Sequence, residues 1–249
     1  MQKRFRATAL VAAFLLPAVV QAEEEASPLS ANIGLVNDYA YRGISQTKEK
    51  AALQGGFDFK HHSGVYIGTW GSNVSWLRDA ETDKHSGNSV ELDVYAGYAR
   101  SFGAFGIDVG VLRYNYPGSY NSTWRQETGL KNPNTTELYV GGSWKFLSLK
   151  YSRSFTNLFG WEDSKGSTYL DLGVSYEVIQ DLSVDAHYGI QRVTGPGYSY
   201  KDWKAGATYK LAGFDIGLHY VDTDVSKREA GGDNDLQDTR LILSVGRSF

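Results

Sequence analysis

Twelve segments of this chain alternate apolar with polar residues. In the segment SVELDVYAGYA, Val90, Leu92 and Val94 share one face, and Glu91 and Asp93 take the other. A period of two places alternate side chains on opposite faces of a β-strand. The sequence therefore predicts an all-β chain, with strands near 31–42, 50–60, 65–76, 89–101, 104–116, 135–146, 147–157, 167–177, 182–193, 199–210, 213–224 and 238–249.

The connections between these segments alternate between short and long. Short ones fall at 61–64, 102–103, 146–147, 178–181 and 211–213. Long polar ones fall near 43–49, 77–88, 117–134, 158–166, 194–198 and 225–237. Antiparallel strands with short turns at one end and long loops at the other are typical of a transmembrane up-and-down β-barrel. An even number of strands, about 12, places both termini on the short-turn, periplasmic side.

The N-terminus predicts export. Lys3, Arg4 and Arg6 precede the apolar run ATALVAAFLLPAVV, and a small-x-small cleavage site follows at residues 20–22. The run is shorter than a membrane-spanning helix and is typical of a signal peptide. We therefore expect a cleaved signal peptide at 1–22 and a barrel at 23–249, located in the outer membrane of a Gram-negative cell.

Composition agrees with such a barrel. The chain has no cysteine, 28 glycines and 14% aromatic residues. Loss of the three basic residues of the signal peptide lowers the formal net charge from −3 to −6, which argues against a nucleic-acid partner. A soluble β-sandwich or a lipocalin-like barrel is the alternative, but many charged residues fall in mid-strand, too many for a dry core.

In a membrane barrel the polar parity faces the interior. This predicts a pore lined by Asp58, Lys60, Glu91, Asp93, Asp108, Glu137, Lys145, Lys150, Asp171, Asp185, His187, Lys204, His219 and Arg240. Twelve strands enclose more space than eight, so the interior can hold a narrow water-filled passage. The sequence leaves a plugged barrel open as the alternative, with 117–134 as the best candidate for a loop that folds inward. The lipid-facing parity is least certain at 65–76, where Tyr66 and Trp70 compete with Val65 and Ile67.

Two arginines and one acid are expected at the outer mouth. Asp38 and Arg42 fall near the end of the first predicted strand, and Arg240 falls near the start of the last. These strands are neighbours in a closed barrel, so the arginines could form an anion-selecting basic spot. The interpretation we favour is that they balance nearby acids such as Asp38 and Asp238.

His187 and His219 could approach each other across Gly206 and bind a metal or sense pH. Two ligands are fewer than a zinc site needs, so we favour isolated lumen histidines and predict no metal or other cofactor. No GxSxG pattern or phosphate-binding loop occurs, and the sequence predicts no catalytic residues. A lipid-modifying enzyme remains the least favoured alternative.

The chain ends inside a strand pattern. Leu241, Leu243, Val245 and Phe249 share the lipid-facing parity. Aromatic residues occupy the interfacial girdles of membrane barrels. We expect this strand to contact the lipid bilayer and lipopolysaccharide, and to be recognised by the barrel-assembly machinery. The sequence leaves the oligomeric state open.

The segment VNDYAYRGISQT at 36–47 resembles the opening of the TorF family, proteobacterial outer-membrane proteins that are described as porins. The segments at 64–76, 91–98 and 202–224 are similar to later parts of that family. The resemblance implies an outer-membrane barrel and a porin, and it brings no catalytic residue and no settled substrate. Together with the predicted pore residues, it favours a channel for passive diffusion of small polar or charged solutes. An alternative is a closed barrel that acts through its outer loops. Within the first segment, Tyr39 and Tyr41 suit the outer aromatic belt, and Gly43 lets the chain bend.

Overall fold

The structure is a computed structural model that describes residues 27–80, 87–195, 198–226 and 235–249. The predicted signal peptide and its cleavage site lie outside these ranges. Within the described ranges, no helix is long and apolar enough to cross a membrane.

The described chain is almost entirely β-structure. Two short helices and one 3-10 turn interrupt it: α1 (Trp76–Asp79), α2 (Ser122–Thr128) and the turn Asp235–Gln237. The strands are β1 (Leu29–Val36), β2 (Ala40–Tyr41), β3 (Ile44–Ser45), β4 (Ala52–Lys60), β5 (Val65–Asn73), β6 (Val90–Phe102), β7 (Phe105–Asn115), β8 (Thr135–Trp144), β9 (Leu147–Ser154), β10 (Thr168–Ile179), β11 (Leu182–Arg192), β12 (Tyr200–Leu211), β13 (Phe214–Thr223) and β14 (Arg240–Ser248).

All of these strands except β2 and β3 form one closed antiparallel barrel of twelve strands. Sequential strands are neighbours, and β1 closes the barrel against β14, with Leu35 opposite Val245. Phe249 does not fray at the end of β14, because its backbone exchanges hydrogen bonds of 2.9 and 3.1 Å with Ala31. The predicted fold class is confirmed, and both ends of the barrel chain lie at its short-turn end.

The outer and inner surfaces of the barrel differ as the alternation predicts. Apolar side chains cover the outside, and Leu241, Leu243, Val245 and Phe249 are 40–67% exposed there. The ambiguity in β5 is resolved as well, since Val65 and Ile67 face outward and are each 53% exposed. Such a surface suits lipid contact and would be costly in water.

One residue predicted to face the pore does not. Lys145 lies in the tight turn between β8 and β9, with a positive φ of 56°. Its side chain is exposed, and its ammonium lies 4.8 Å from the ring centroid of Trp144 on the outer surface. The prediction was wrong because the turn begins at Lys145, and the alternation of strand β8 ends before it.

The first long connection departs from the predicted pattern. The predicted strand at 31–42 ends at Val36, and β2 and β3 form a separate short hairpin. We call residues 40–45 the inner hairpin, because its tip contacts the inner faces of strands across the barrel. The loop at 117–134 was the best candidate for an inward fold under the plugged-barrel alternative. Its Trp124 and Leu130 join an apolar cluster with residues of other loops and of the upper barrel strands.

The long loops gather into an apolar cap at one end of the barrel. Leu77 of α1 and Trp124 of α2 are fully buried in it, and Phe159 packs against the same cluster. The ring of Trp76 makes edge contacts with those of Tyr116 and Phe159. The cap therefore joins the second, third and fourth long loops above the barrel interior.

Candidate functional site

A hydrogen-bond network fixes the base of the inner hairpin. The Asp38 carboxylate accepts hydrogen bonds from Ser45 Oγ at 2.6 Å and Thr47 Oγ1 at 3.0 Å. Its second oxygen forms a 2.7 Å ion pair with Arg240 at the start of β14. Asp38 and Ser45 are buried. The residues of the DYAYRGISQT segment therefore hold one another in place and attach the hairpin to the seam of the barrel.

The tip of the hairpin reaches the far wall. Arg42 forms an ion pair of 2.8 Å with Glu137 on β8 and donates a 2.6 Å hydrogen bond to Gln191 on β11. Its guanidinium lies 4.1 Å from the ring centroid of Tyr169. Strand β8 is five strands from β1 in one direction and seven in the other. The hairpin and the Arg42 side chain therefore cross the interior of the barrel.

Arg42 is thus not on the first strand near the mouth, as the sequence suggested. The prediction assumed that β1 continues to residue 42, whereas the chain leaves the barrel wall after Val36. Arg42 and Arg240 do not form a shared basic spot, because Arg42 pairs with Glu137 and Arg240 with Asp38.

Tyr39 and Tyr41 also lie inside rather than in an outer aromatic belt. The Tyr39 hydroxyl donates to Glu91 Oε1 at 3.0 Å, and Tyr116 donates to the other oxygen of Glu91 at 2.7 Å. Burial, with the Glu91 charge nearby, raises the pKa of Tyr39 well above its ordinary value. The hydroxyl therefore stays protonated and donates. The Tyr41 hydroxyl is 2.8 Å from that of Tyr114.

Further tyrosines bind carboxylates around the wall. Tyr95 donates to Asp58 at 2.6 Å and Tyr66 to Asp108 at 2.7 Å. Tyr169 lies 3.0 Å from both oxygens of Asp202. A carboxylate that accepts such hydrogen bonds keeps its charge at a lower desolvation cost. Tyrosine hydroxyls thus stabilise carboxylates in the barrel interior, so that not every acid there needs a basic partner.

The two histidines each bind carboxylates. His187 Nδ1 is 3.1 Å from Asp171, and its Nε2 is 3.3 Å from Asp202. His219 is paired with Gly206 in the register of β12 and β13. The sequence suggested that its ring could reach His187 across this glycine, but its Nε2 contacts Asp185 at 2.8 Å instead. Lys204 pairs with the same carboxylate at 3.2 Å. In the described ranges, no group of three or more histidine, cysteine or acidic side chains is arranged to hold a metal.

A cavity of about 160 Å³ lies beside the inner hairpin within the barrel. Side chains of the hairpin form one side of it, and side chains from both halves of the barrel wall form the rest. Its polar lining includes Asp38, Arg42, Gln54, Lys150, Ser152, Asp171, His187, Lys204 and His219.

Apart from Lys145, the predicted pore residues share the inward parity of their strands. Asp58, Lys60, Glu91, Asp93, Asp108, Glu137, Lys150, Asp171, Asp185, His187, Lys204, His219 and Arg240 alternate with exposed apolar residues there. Sequence reasoning missed Asp202 and the inward tyrosines. Their parity was available: Asp202 is two residues from Lys204, and Tyr139 is two residues from Glu137. The contacts of Arg42 had no local signal.

The solved structures that share this fold include two porins. A KdgM porin, solved in complex with disordered oligogalacturonate, is 13% identical with a TM-score of 0.53, covering 89% of this chain and 98% of its own. The NanC porin is 12% identical with a TM-score of 0.50, covering 88% of this chain and 97% of its own. No curated protein matches. Residues 21–249 match the profile of a family described as "Bacterial protein of unknown function (Gcw_chp)". This chain belongs to the Gcw_chp family.

Proposed function

We propose that this protein is an outer-membrane channel for passive diffusion of small polar or charged solutes, narrowed by the inner hairpin. The observation that carries the proposal is a closed barrel with an apolar outer surface and a polar interior that retains a cavity of about 160 Å³. Lipid can cover the apolar outer surface, and water can fill the polar interior. The fold shared with two porins supports the same function.

The inner hairpin would set the size limit of this channel. It crosses the interior and fixes its tip to β8 and β11 through Arg42. A solute that moves along the barrel axis has to pass beside the hairpin, where the cavity lies. Removal of the Arg42 side chain should therefore widen the narrowest part of the path.

Conductance of the refolded protein in planar bilayers tests this proposal. We expect discrete current steps from the wild type and larger steps from Arg42→Ser. The double variant Arg42→Ser/Glu137→Gln removes both partners of the ion pair, so it leaves the net charge of the interior unchanged. It therefore separates the effect of pore width on conductance from the effect of charge. Arg100→Ser is the matched control, since Arg100 is exposed on the outside of β6.

A folded wild-type barrel that produces no steps would contradict the channel. Current steps of equal size from Arg42→Ser and the wild type would support a channel but would show that the hairpin is not its narrowest part. Folding is checked in each sample by the shift in electrophoretic mobility on heating, so that an unfolded variant is not read as a closed one.

The second candidate is a closed barrel that acts through its outer loops. The apolar cap built around Leu77 and Trp124 favours it, because such a cluster gives the loops a fixed surface. Under this function the wild type would be silent in bilayers, and the Arg42 variants would be silent as well.

A lipid-modifying enzyme has less support. Both lumen histidines contact carboxylates. One Ser–His hydrogen bond does occur, between His61 Nδ1 and Ser63 Oγ at 2.8 Å, but it closes an exposed turn locally. An acyl-transfer site needs a base that is oriented by a third group beside its nucleophile.

The proposed location brings its own partners. In an outer membrane the short-turn end would face the periplasm, and the apolar belt would contact lipid and lipopolysaccharide. The barrel-assembly machinery would recognise β14 with its terminal Phe249. The resemblance to the TorF family supports this proposal, and membership of that family stays a prediction.

A further inference from the structure

We propose that the cavity beside the inner hairpin is a binding site for a small hydroxycarboxylate, with Lys150 holding the carboxylate and Ser152 the hydroxyl. The inference rests on the proposed channel, since the site lies on its path.

Lys150 is a lumen cation without an ion partner. Among the described residues, its ammonium has neither a hydrogen bond nor a carboxylate within 4.0 Å. The ammonium lies 4.4 Å from the ring centroid of Tyr139. A lysine ammonium has three donors, so this side chain can bind an anion that enters the cavity.

The nearest carboxylates already have donors. Asp171 lies directly across from Lys150 in the register of β9 and β10, yet it binds His187 Nδ1 at 3.1 Å. Glu137 is held by Arg42 at 2.8 Å, and Asp108 accepts from Tyr66 at 2.7 Å. The acids around Lys150 are thus engaged elsewhere, and the lysine side chain turns toward Tyr139.

The other cations that line the cavity are occupied. Arg42 binds Glu137 and Gln191, and Lys204 is 3.2 Å from Asp185. An entering carboxylate would have to break an ion pair to bind either of them. A carboxylate that binds Lys150 breaks no ion pair, so Lys150 is its favoured partner among the cations that line the cavity.

Ser152 supplies the second contact. It follows Lys150 by two residues on the same face of β9 and is only 3% exposed. Its hydroxyl has no side-chain hydrogen bond among the described residues, and both residues line the cavity. In the described ranges, Ser152 Oγ is not among the fully buried atoms that lack a hydrogen-bond partner, so it is accessible from the cavity, where a ligand with a hydroxyl near its carboxylate can bind it.

The volume limits the size of the ligand. A cavity of about 150 Å³ holds a benzene-sized molecule, and the cavity here is about 160 Å³. A three-carbon hydroxy acid has a similar number of heavy atoms. Glycerate is therefore a suitable probe, and glycerol is its neutral counterpart, in which a CH2OH group replaces the carboxylate.

Saturation-transfer difference NMR on the refolded mature chain in detergent micelles measures such binding, because the method detects weak ligands. We expect a saturable signal from glycerate and none from glycerol. Lys150→Met should abolish the glycerate signal, and Lys150→Arg should retain it because the charge remains. Ser152→Ala should weaken glycerate binding and leave acetate, which has no hydroxyl, unchanged. Lys201→Met is the control, since Lys201 is exposed on the outer side of β12.

Equal signals from glycerate and glycerol, or full glycerate binding to Lys150→Met, would overturn the inference. Potassium chloride conductance of the same preparations separates it from the proposed function. Conducting barrels that do not bind glycerate refute the site and leave the channel. Barrels that bind glycerate and do not conduct refute the channel and leave the site.

Discussion

Gly43 is a residue at which the inner hairpin comes very close to the barrel wall, at β12 and β13. It has a φ of +81°, and a Cβ there would lie 2.8 Å from the Cβ atoms of Asp202 and Thr223. Only a residue without a side chain satisfies both conditions, because φ is positive and the space is absent. The position of this one glycine therefore fixes how deeply the hairpin enters the barrel.

Gly43→Ala should lower stability and enlarge the conductance steps, because the new methyl group pushes the tip away from β12 and β13. Gly103→Ala is a matched control: Gly103 also has a positive φ, +62°, but nothing lies within 4 Å of its Cβ position. Positive φ alone costs on the order of 1–3 kcal/mol at a non-glycine residue. Urea unfolding in lipid vesicles should show a larger loss for Gly43→Ala. Equal losses and unchanged conductance would mean that the tip does not rest on the wall.

At the level of single residues, the sequence correctly predicted whether a side chain faces into or out of the barrel when the residue lies within a barrel strand. It failed for residues beyond the end of a strand. Asp171 and His187 alternate with exposed apolar neighbours as expected. Tyr39 and Tyr41 did not follow, because residues beyond Val36 have left the sheet and alternation no longer decides their direction. Their partners, Glu91 and Tyr114, are 52 and 73 residues away, and no local pattern reveals such contacts.

At the scale of elements, β14 both closes the barrel and carries the chain end. It pairs with β1 on one side and β13 on the other. On its outer face the guanidinium of Arg247 lies 5.1 Å from the ring centroid of Phe249 and 5.5 Å from that of Phe214. Such cation–π contacts let an arginine sit among apolar side chains at an interface.

Phe249→Ser should reduce the amount of assembled barrel in cells more than it reduces barrel stability in vitro, if assembly reads the terminal residue. Phe102→Ser is the control, because Phe102 is a similarly exposed aromatic residue at the same end of the barrel. The measurement is the heat-modifiable fraction in membrane preparations, compared with urea unfolding of refolded protein. Equal assembly defects in the two variants would show that lost apolar area, rather than position at the chain end, is responsible.

Elements were predictable to different degrees. The twelve barrel strands and the alternation of short turns with long loops follow from a period of two and from turn composition. The inner hairpin could not be obtained in this way, since β2 and β3 have two residues each and its place depends on the wall across the barrel. The apolar cap was missed for the same reason: Leu77, Trp124 and Phe159 come from three different loops.

On the scale of the whole molecule, the interior carries more acids than bases. Bases in the interior or on the inward parity are Arg42, Lys60, Lys150, Lys204, Lys210 and Arg240, and acids are Asp38, Asp58, Glu91, Asp93, Asp108, Glu137, Asp171, Glu177, Asp185, Asp202 and Asp215. The net field of such a lumen favours cations.

The wild type should therefore show a cation-biased reversal potential in a potassium chloride gradient, and Asp58→Asn, which removes an inward-facing carboxylate of β4, should reduce it. The bias should shrink between about 0.1 M and 1 M salt, because the screening length falls from about 10 Å to about 3 Å. Asp163→Asn, in an exposed loop, is the control. An anion bias would indicate that the cations around the inner hairpin, rather than the acid excess, govern passage.

The place of the inner hairpin in the chain also sets an order of folding. It is made early in the sequence, but Arg42 binds Gln191, 149 residues later, and Asp38 binds Arg240, 202 residues later. Contacts between residues so far apart form slowly, since a long chain segment must close first. We expect the hairpin to stay loose until the last strand arrives, so that one late kinetic step both seals the barrel and seats the hairpin.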